Sequence, residues 1–379
     1  MQALRDLQRR LAARGWITDL LAIFGVAVVS RAVLLLIGYE ALIFKAGHAS
    51  LATVLCRFDC IWYVGLAEHG YTTIEAYNQP GATSYGFFPL FPLLARGMAP
   101  LFGGDMLWAA VATANCCFFA GLVYVYRYAL LIGASRQAAL LGVTVLCIFP
   151  QSIVFSAPYS ESLFLLLSAA AIYHLLREQF LAAAIAVALL SATRPTGVLF
   201  IVFALVWLLR SVGWRNASMP WRNPQHYLPI VFAPLGMFVF WSFCLLTVGD
   251  AFAHSHTELH GWGYRFVTPW HGVHMLLRSG GTAVPAVLCS FAVFACALLL
   301  LARRRYPEFA FCLAFFLLTW SMPTIGSIFR YWLVLFPIWV EVARRLERRP
   351  MATATTCAAL GIINGSMMWA WALQDLAGT

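Results

Sequence analysis

Long apolar runs broken by short arginine clusters repeat along the whole 379-residue chain. The first run extends from about Ile17 to Phe44, more than the roughly 20 residues a helix needs to cross a hydrocarbon core. Later runs predict spans at about 106–126, 137–156, 160–176, 179–193, 197–213, 226–248, 282–302, 307–322, 331–343 and 351–372, giving about eleven with the first. The stretch at about 87–102 is apolar too, but Pro89 and Pro92 interrupt it and Gly103-Gly104 follows. It is predicted to be a re-entrant or interfacial helix packed on protein. A short true span is the alternative, and it would invert everything after it.

The basic clusters separate these two readings. Arg5, Arg9, Arg10 and Arg14 precede the first run and assign its start to the cytoplasm. Arg127 with Arg136, Arg177, Arg210 with Arg215 and Arg222, Arg303 to Arg305, and Arg344 with Arg345, Arg348 and Arg349 then share that side only if 87–102 does not cross. The carboxyl terminus falls outside. The layout is one membrane domain over 1–379: a cytoplasmic lead-in at 1–16, a first periplasmic loop at 45–104, and a His- and aromatic-rich periplasmic loop at 250–281.

Composition agrees with a polytopic membrane protein. The chain is 62% hydrophobic and 11% charged, against about 25% charged residues in soluble domains. No room remains for a large soluble domain. The net charge of +10 sits in the clusters between spans, so it reports topology and not nucleic-acid binding. Most of the ten cysteines lie inside apolar runs, where they act as small hydrophobes. Cys56 and Cys60 are the exception, and a disulfide or metal pair there is the minor reading. The amino terminus is too polar, and the span after it too long, for a cleaved signal peptide. No internal repeat of the kind that builds many transporters is evident.

This topology gathers the remaining polar residues on the far side. Asp59, Glu68 and Glu75 lie in the first far-side loop, Tyr159 to Glu161 in the second, and Arg194 in the third. His254, His256, Glu258, His260, Arg265 and His271 lie in the fourth, and Arg330 with Tyr331 in the fifth. Asp59 stands at the N-cap of a short amphipathic helix that ends before Gly70, and it can also serve as a general base. Glu161 starts a span, where the positive helix end favours a carboxylate. Arg31 lies deep in the first span and needs a partner, for which Asp59 or Glu161 is expected. Arg194 and Arg330 stand alone at span junctions, where arginines that snorkel to the headgroups are common. His254, His256 and His260 with Glu258 near offer a metal site or a substrate-contacting loop. Trp262, Tyr264 and Trp270 can stack on a sugar, although an aromatic belt is the simpler reading.

The run Arg57-Phe58-Asp59-Cys60-Ile61-Trp62-Tyr63, with Gly70-Tyr71 and Phe88-Pro89-Leu90-Phe91-Pro92, resembles the PIG-V family of mannosyltransferases. Ser30-Arg31, Tyr159-Ser160-Glu161-Ser162-Leu163-Phe164, Arg194-Pro195-Thr196-Gly197, and Phe329-Arg330-Tyr331 with Phe336-Pro337 extend the likeness collinearly over about 30–340. Phe58 stands where the family often has Trp. The chain is also similar to GT-C glycosyltransferases generally, whose first non-cytoplasmic loop carries a catalytic Asp.

The resemblance implies an all-α polytopic GT-C fold and an inverting glycosyltransferase. Its donor is then a polyprenyl-phosphate sugar, most often mannose, and its acceptor a hydroxyl of a glycolipid or other envelope molecule. Asp59 becomes the base, and Arg330, Arg194 and Arg57 the donor-phosphate ligands. No metal or other cofactor is expected. Tyr63, Trp62, Tyr159, Glu161, Arg31, Tyr331 and His260 are expected to bind substrate or hold the site. The compact basic loops look bacterial, which implies the inner (plasma) membrane with the site facing the periplasm. A lipid-linked sugar flippase and a non-catalytic partner of a glycosyltransferase complex are the competing readings.

Overall fold

A computed structural model describes residues 2–75, 79–217, 219–281, 283–322 and 328–374. The predicted outward carboxyl terminus beyond 374, Met1 of the lead-in and residues 76–78 of the first loop lie outside the described residues. Helices dominate. The long α1 (Gln2–Ala46) runs on through the lead-in without a break. Two short helices, α2 (Leu51–Leu55) and α3 (Cys60–His69), follow in the first loop, and α4 (Leu90–Met98) covers the apolar stretch before Gly103.

A central group follows: α5 (Met106–Leu131), α6 (Arg136–Ile148), α7 (Glu161–Leu176), α8 (Phe180–Ser191) and α9 (Phe200–Val212). Next come the short α10 (Trp214–Ala217) and the bent pair α11 (Leu228–Phe232) and α12 (Leu235–Val248). The outer loop carries α13 (Ala253–Gly261) and α14 (Pro269–Ser279). The remaining helices are α15 (Ala283–Ala302), α16 (Tyr306–Ser321), α17 (Ile328–Leu333), α18 (Phe336–Leu346) and α19 (Pro350–Leu373).

Local chemistry explains several boundaries. Asp105 and Ser135 cap α5 and α6 by accepting from the amides of Trp108 and Ala138, each at 3.0 Å. Pro337 breaks the predicted 331–343 span into α17 and α18. Gly197 is required by close approach, because a Cβ there would lie 2.4 Å from the Leu190 carbonyl oxygen. The turn after α8 can therefore fold tightly, and it carries Arg194.

Large apolar side chains face outward as well as inward. Leu21, Leu36, Val239 and Leu246 are exposed, as expected where lipid is the solvent. Among the described residues, five helices are long and apolar enough to cross a membrane, or six if α11 and α12 form one span. Five more apolar helices, α4 with its 3₁₀ extension to Phe102, α6, α7, α8 and α16, are shorter. The helices fall where the apolar runs predict them, but the count of eleven spans does not follow from their lengths.

At the end of the bundle where the arginine clusters lie, many of those arginines are paired. Arg136 meets the buried Asp19 at 2.5 Å. The buried Glu341 takes Arg344 at 2.7 Å and Arg303 at 3.9 Å. Buried Glu308 takes Arg305 at 3.6 Å and accepts from the Tyr128 hydroxyl at 3.3 Å. These arginines fasten helices together as well as marking a membrane side.

Candidate active site

The chain turns sharply at Phe58, whose φ of +49° is left-handed and uncommon for a bulky side chain. The turn sends Arg57 and Asp59 to opposite sides. One hydroxyl holds it: Tyr159 Oη donates to the Arg57 carbonyl at 2.9 Å and accepts from the Asp59 amide at 3.0 Å. Cys56 and Cys60 close a disulfide across the same residues, so the minor reading of that pair is the one adopted. Asp59 does stand at the N-cap of α3, but its side chain makes no capping bond. Its carboxylate turns to Arg330, with Oδ2 2.6 Å from Nη1.

The other charges converge from separate elements. Glu161 begins α7 and is fully buried. Its Oε1 contacts Arg194 and lies 3.6 Å from Arg330, while Oε2 has no hydrogen-bond partner. The Arg194 guanidinium lies 5.2 Å over the Tyr331 ring, and that of Arg330 lies 5.4 Å over Tyr159. Asp59, Arg194, Arg330 and Tyr331 all line a cavity of about 620 Å³. The Asp59 side chain keeps 26% of its surface exposed, against 1% for Glu161. Asp59 is therefore the carboxylate of the pair that a ligand can reach.

The opposite wall comes from α13 and the residues after it, with Glu258, Trp262 and Tyr264 on the lining. This helix is fastened by its other face. Thr257 and Thr83 join hydroxyls at 2.9 Å, and Gln79 donates to the Gly261 carbonyl at 3.0 Å. A Cβ at Gly261 would sit 2.6 Å from Ala82 Cα, so that contact requires glycine. Burial and the facing Asp59 push the Glu258 carboxyl up to about 8, although Arg194 and Arg330 oppose the shift. Burial pushes His254 down to about 4, so it is uncharged near neutral pH. Trp262 lines the cavity and stands edge-on to both Trp62 and Phe87, so it packs within the site and not in an aromatic belt.

Several sequence expectations require correction. Arg31 finds neither Asp59 nor Glu161. It donates to the main-chain carbonyls of Cys147 and Ser152 and to Ser152 Oγ at 2.9 Å, with its guanidinium 5.2 Å over Phe118. Cys147 lies in the last turn of α6, where carbonyls lose their helical partners, and Ser152 opens the short 3₁₀ turn that follows. Arg57 is turned away from the site and lines a separate cavity with Lys45, His48 and Thr53. Trp62 stacks on Phe87 behind the lining and does not reach the cavity. His260 is exposed and packs on Gly81. Among the described residues, no three His, Cys, Asp or Glu side chains are grouped to hold a metal ion.

Tyr159 and Tyr63 line the cavity and brace it through their hydroxyls. The Tyr63 hydroxyl meets Ser160 Oγ at 2.8 Å, and its ring packs edge-on to Phe87 and Phe91. Sequence reasoning named Glu258 only as a neighbour of His254, His256 and His260, not as a site residue in its own right. The available signal was a carboxylate one helical turn from His254, in a loop otherwise rich in His and aromatics and lacking a basic partner at helical spacing.

The geometry amounts to a partly exposed Asp59 paired with Arg330 on the wall of a cavity that Arg194 and Glu258 also line. Comparison with known proteins adds to this. A family model described as Mannosyltransferase (PIG-V) matches residues 30–240. GPI mannosyltransferase 2 of Aspergillus fumigatus is 28% identical over 172 residues, 40% of this chain and 32% of that protein. GPI alpha-1,6-mannosyltransferase 2 of Mus musculus is 31% identical over 178 residues, 44% of this chain and 34% of that one. The matched segment thus spans about a third of these curated relatives. Among solved structures, the archaeal oligosaccharyltransferase AglB from Archaeoglobus fulgidus, in complex with an inhibitory peptide and a dolichol-phosphate, aligns with a TM-score of 0.51 at 13% identity. That alignment covers 93% of this chain and 56% of AglB, and it shows a shared GT-C fold.

Proposed function

The chain belongs to the PIG-V mannosyltransferase family, and on that premise we propose that it transfers mannose from a polyprenyl-phosphate donor to a hydroxyl of a glycolipid or other envelope acceptor. The observation that carries this reading is one cavity lined by Asp59, Arg330 and Arg194, with Asp59 and Arg330 in direct contact. Asp59 takes the acceptor proton as the acceptor oxygen bonds to the anomeric carbon. The bond from that carbon to the phosphate oxygen breaks on the opposite face, and polyprenyl phosphate leaves. A single displacement of this kind inverts the anomeric centre.

The arginines supply positive charge where the leaving phosphate gains negative charge. Their planar guanidinium groups suit phosphate oxygens bidentately. At rest, Arg330 is engaged by Asp59. A donor phosphate competes for that guanidinium, which releases the Asp59 carboxylate to accept the proton of the acceptor hydroxyl. Donor binding before acceptor binding follows from this competition.

The site is assigned to the periplasmic face of a bacterial plasma membrane. The cytoplasmic bias of the arginine clusters supports that side, and the Cys56–Cys60 disulfide fits an oxidising compartment. The test is to incubate purified protein with a panel of polyprenyl-phosphate sugars and a membrane-lipid acceptor extract. Acceptor-dependent loss of polyprenyl-phosphate mannose is expected. Full transfer by a folded Asp59→Ala protein would overturn the mechanism, and uptake of donor into vesicles without a covalent product would favour a transporter.

A further inference from the structure

We propose that Glu258 is a third contact to the donor phosphate, a carboxylic acid that donates a hydrogen bond to a phosphate oxygen beside Arg194 and Arg330. This rests on the polyprenyl-phosphate donor reading and adds to it a residue from a different wall of the cavity. The placement follows from the phase of α13. Thr257 and Gly261 are held against Thr83, Gln79 and Ala82, which turns Glu258 toward the cavity with Trp262 one turn on. The main chain fixes that point from two directions. The Glu258 carbonyl accepts from the Trp262 amide at 3.2 Å and from the Tyr264 amide at 3.0 Å.

The charges that face Glu258 are identifiable on every wall. The start of α3 presents Asp59 and Tyr63, the approach to α7 presents Tyr159, and the turn after α8 presents Arg194. Helix α17 contributes Arg330 and Tyr331, the segment after α13 contributes Tyr264 and Arg265, and α13 itself carries His254 and His256. Asp59 and burial hold the Glu258 proton on up to about pH 8, against the pull of the two arginines. A bare carboxylate at this position would repel a phosphate and weaken both arginine contacts. A neutral carboxylic acid instead supplies an O–H donor.

Proton transfer does not accompany this contact. The second ionisation of a phosphomonoester lies near pH 6, roughly two units below the Glu258 carboxyl. The departing polyprenyl phosphate is therefore the weaker base, and the proton stays on Glu258. The sign follows directly: the contact is present while Glu258 is protonated and is lost as pH rises through about 8. The ordinary carboxylate, titrating near pH 4.3, would have lost it throughout the neutral range.

The experiment uses the full-length protein in detergent with polyprenyl phosphate, the reaction product, as the probe. Binding is measured from pH 6 to 9.5 for wild type, Glu258→Gln and Glu258→Ala, with thermal midpoints recorded to confirm folding. Wild type is expected to bind about ten- to a hundredfold more weakly above pH 9 than at pH 7, the range of one hydrogen bond to a charged group. Glu258→Gln keeps an N–H donor that cannot ionise, so its binding at pH 7 stays near wild type and the alkaline loss disappears. Glu258→Ala binds weakly at every pH. An alkaline loss that is the same in Glu258→Gln as in wild type overturns the Glu258 role and leaves the donor reading standing. No binding of polyprenyl phosphate by wild type at any pH overturns both.

Discussion

Two groups of buried charge lie at opposite ends of α16, about 21 Å apart along its axis. At the amino end, Glu308 and Glu341 are held by Arg303, Arg305 and Arg344. At the carboxyl end, where Leu318 and Met322 reach the cavity, Asp59 and Glu161 meet Arg194 and Arg330. The residue types are the same, and both groups balance carboxylates against arginines. They differ in what is left over. The first group does not line the 620 Å³ cavity, and both of its carboxylates are 1% exposed. The second surrounds the cavity and keeps Asp59 reachable. Pairing alone therefore does not distinguish a fastening from a site. The open volume beside the pair does.

Removing one carboxylate from each group should separate the two roles most widely. Asp59→Asn is expected to lower the transfer rate by a factor on the order of 10²–10⁴, the usual contribution of a general base, with little change in thermal midpoint. Glu341→Gln should do the reverse. It strands two arginines and costs about 3–5 kcal/mol of stability, with the rate per folded molecule unchanged. Denaturant or thermal unfolding beside a single-turnover assay reads both. A Glu341 variant that lost rate without stability would collapse the distinction.

A smaller effect is expected for Arg194→Lys. The charge remains but the planar fork over Tyr331 is lost, so KM for the donor should rise about tenfold with kcat changing less. Smaller again is Arg303→Gln. Its side chain is 46% exposed and 3.9 Å from Glu341, which places its loss below about 1 kcal/mol by thermal unfolding. Arg57→Gln should change donor turnover by no more than about twofold, because its side chain points into the other cavity. A large loss of donor affinity there would return Arg57 to the phosphate site.

Much of this was legible in the apolar runs and the arginine clusters. They located the helices and placed Asp59, Glu161, Arg194 and Arg330 on one side before any contact was known. The unread parts share a physical cause: each depends on a local backbone angle or on main-chain atoms. Arg57 and Asp59 diverge because Phe58 takes a left-handed turn, and neither its size nor its chemistry signals that. Arg31 is satisfied by main-chain carbonyls at the end of α6 and in the turn after it, and carbonyls leave no mark in a sequence. The preference for Glu258 over His260 is a matter of helical phase, set by Thr257 and Gly261 meeting a distant loop. Helices such as α6, α8 and α16 are largely apolar but shorter than a bilayer core is thick, so length alone does not give a crossing there.

The Tyr159 hydroxyl has a consequence for how this chain can change over generations. It grips the peptide groups on both sides of Phe58, a hundred residues away in sequence, and so acts as a gauge block for the spacing between them. Inserting or deleting a single residue between Cys56 and Cys60 would put Asp59 out of step with α7 and with both arginines. An insertion in the exposed stretch around 72–75 should leave that gauge untouched, whereas any change of length across Arg57, Phe58 and Asp59 resets it.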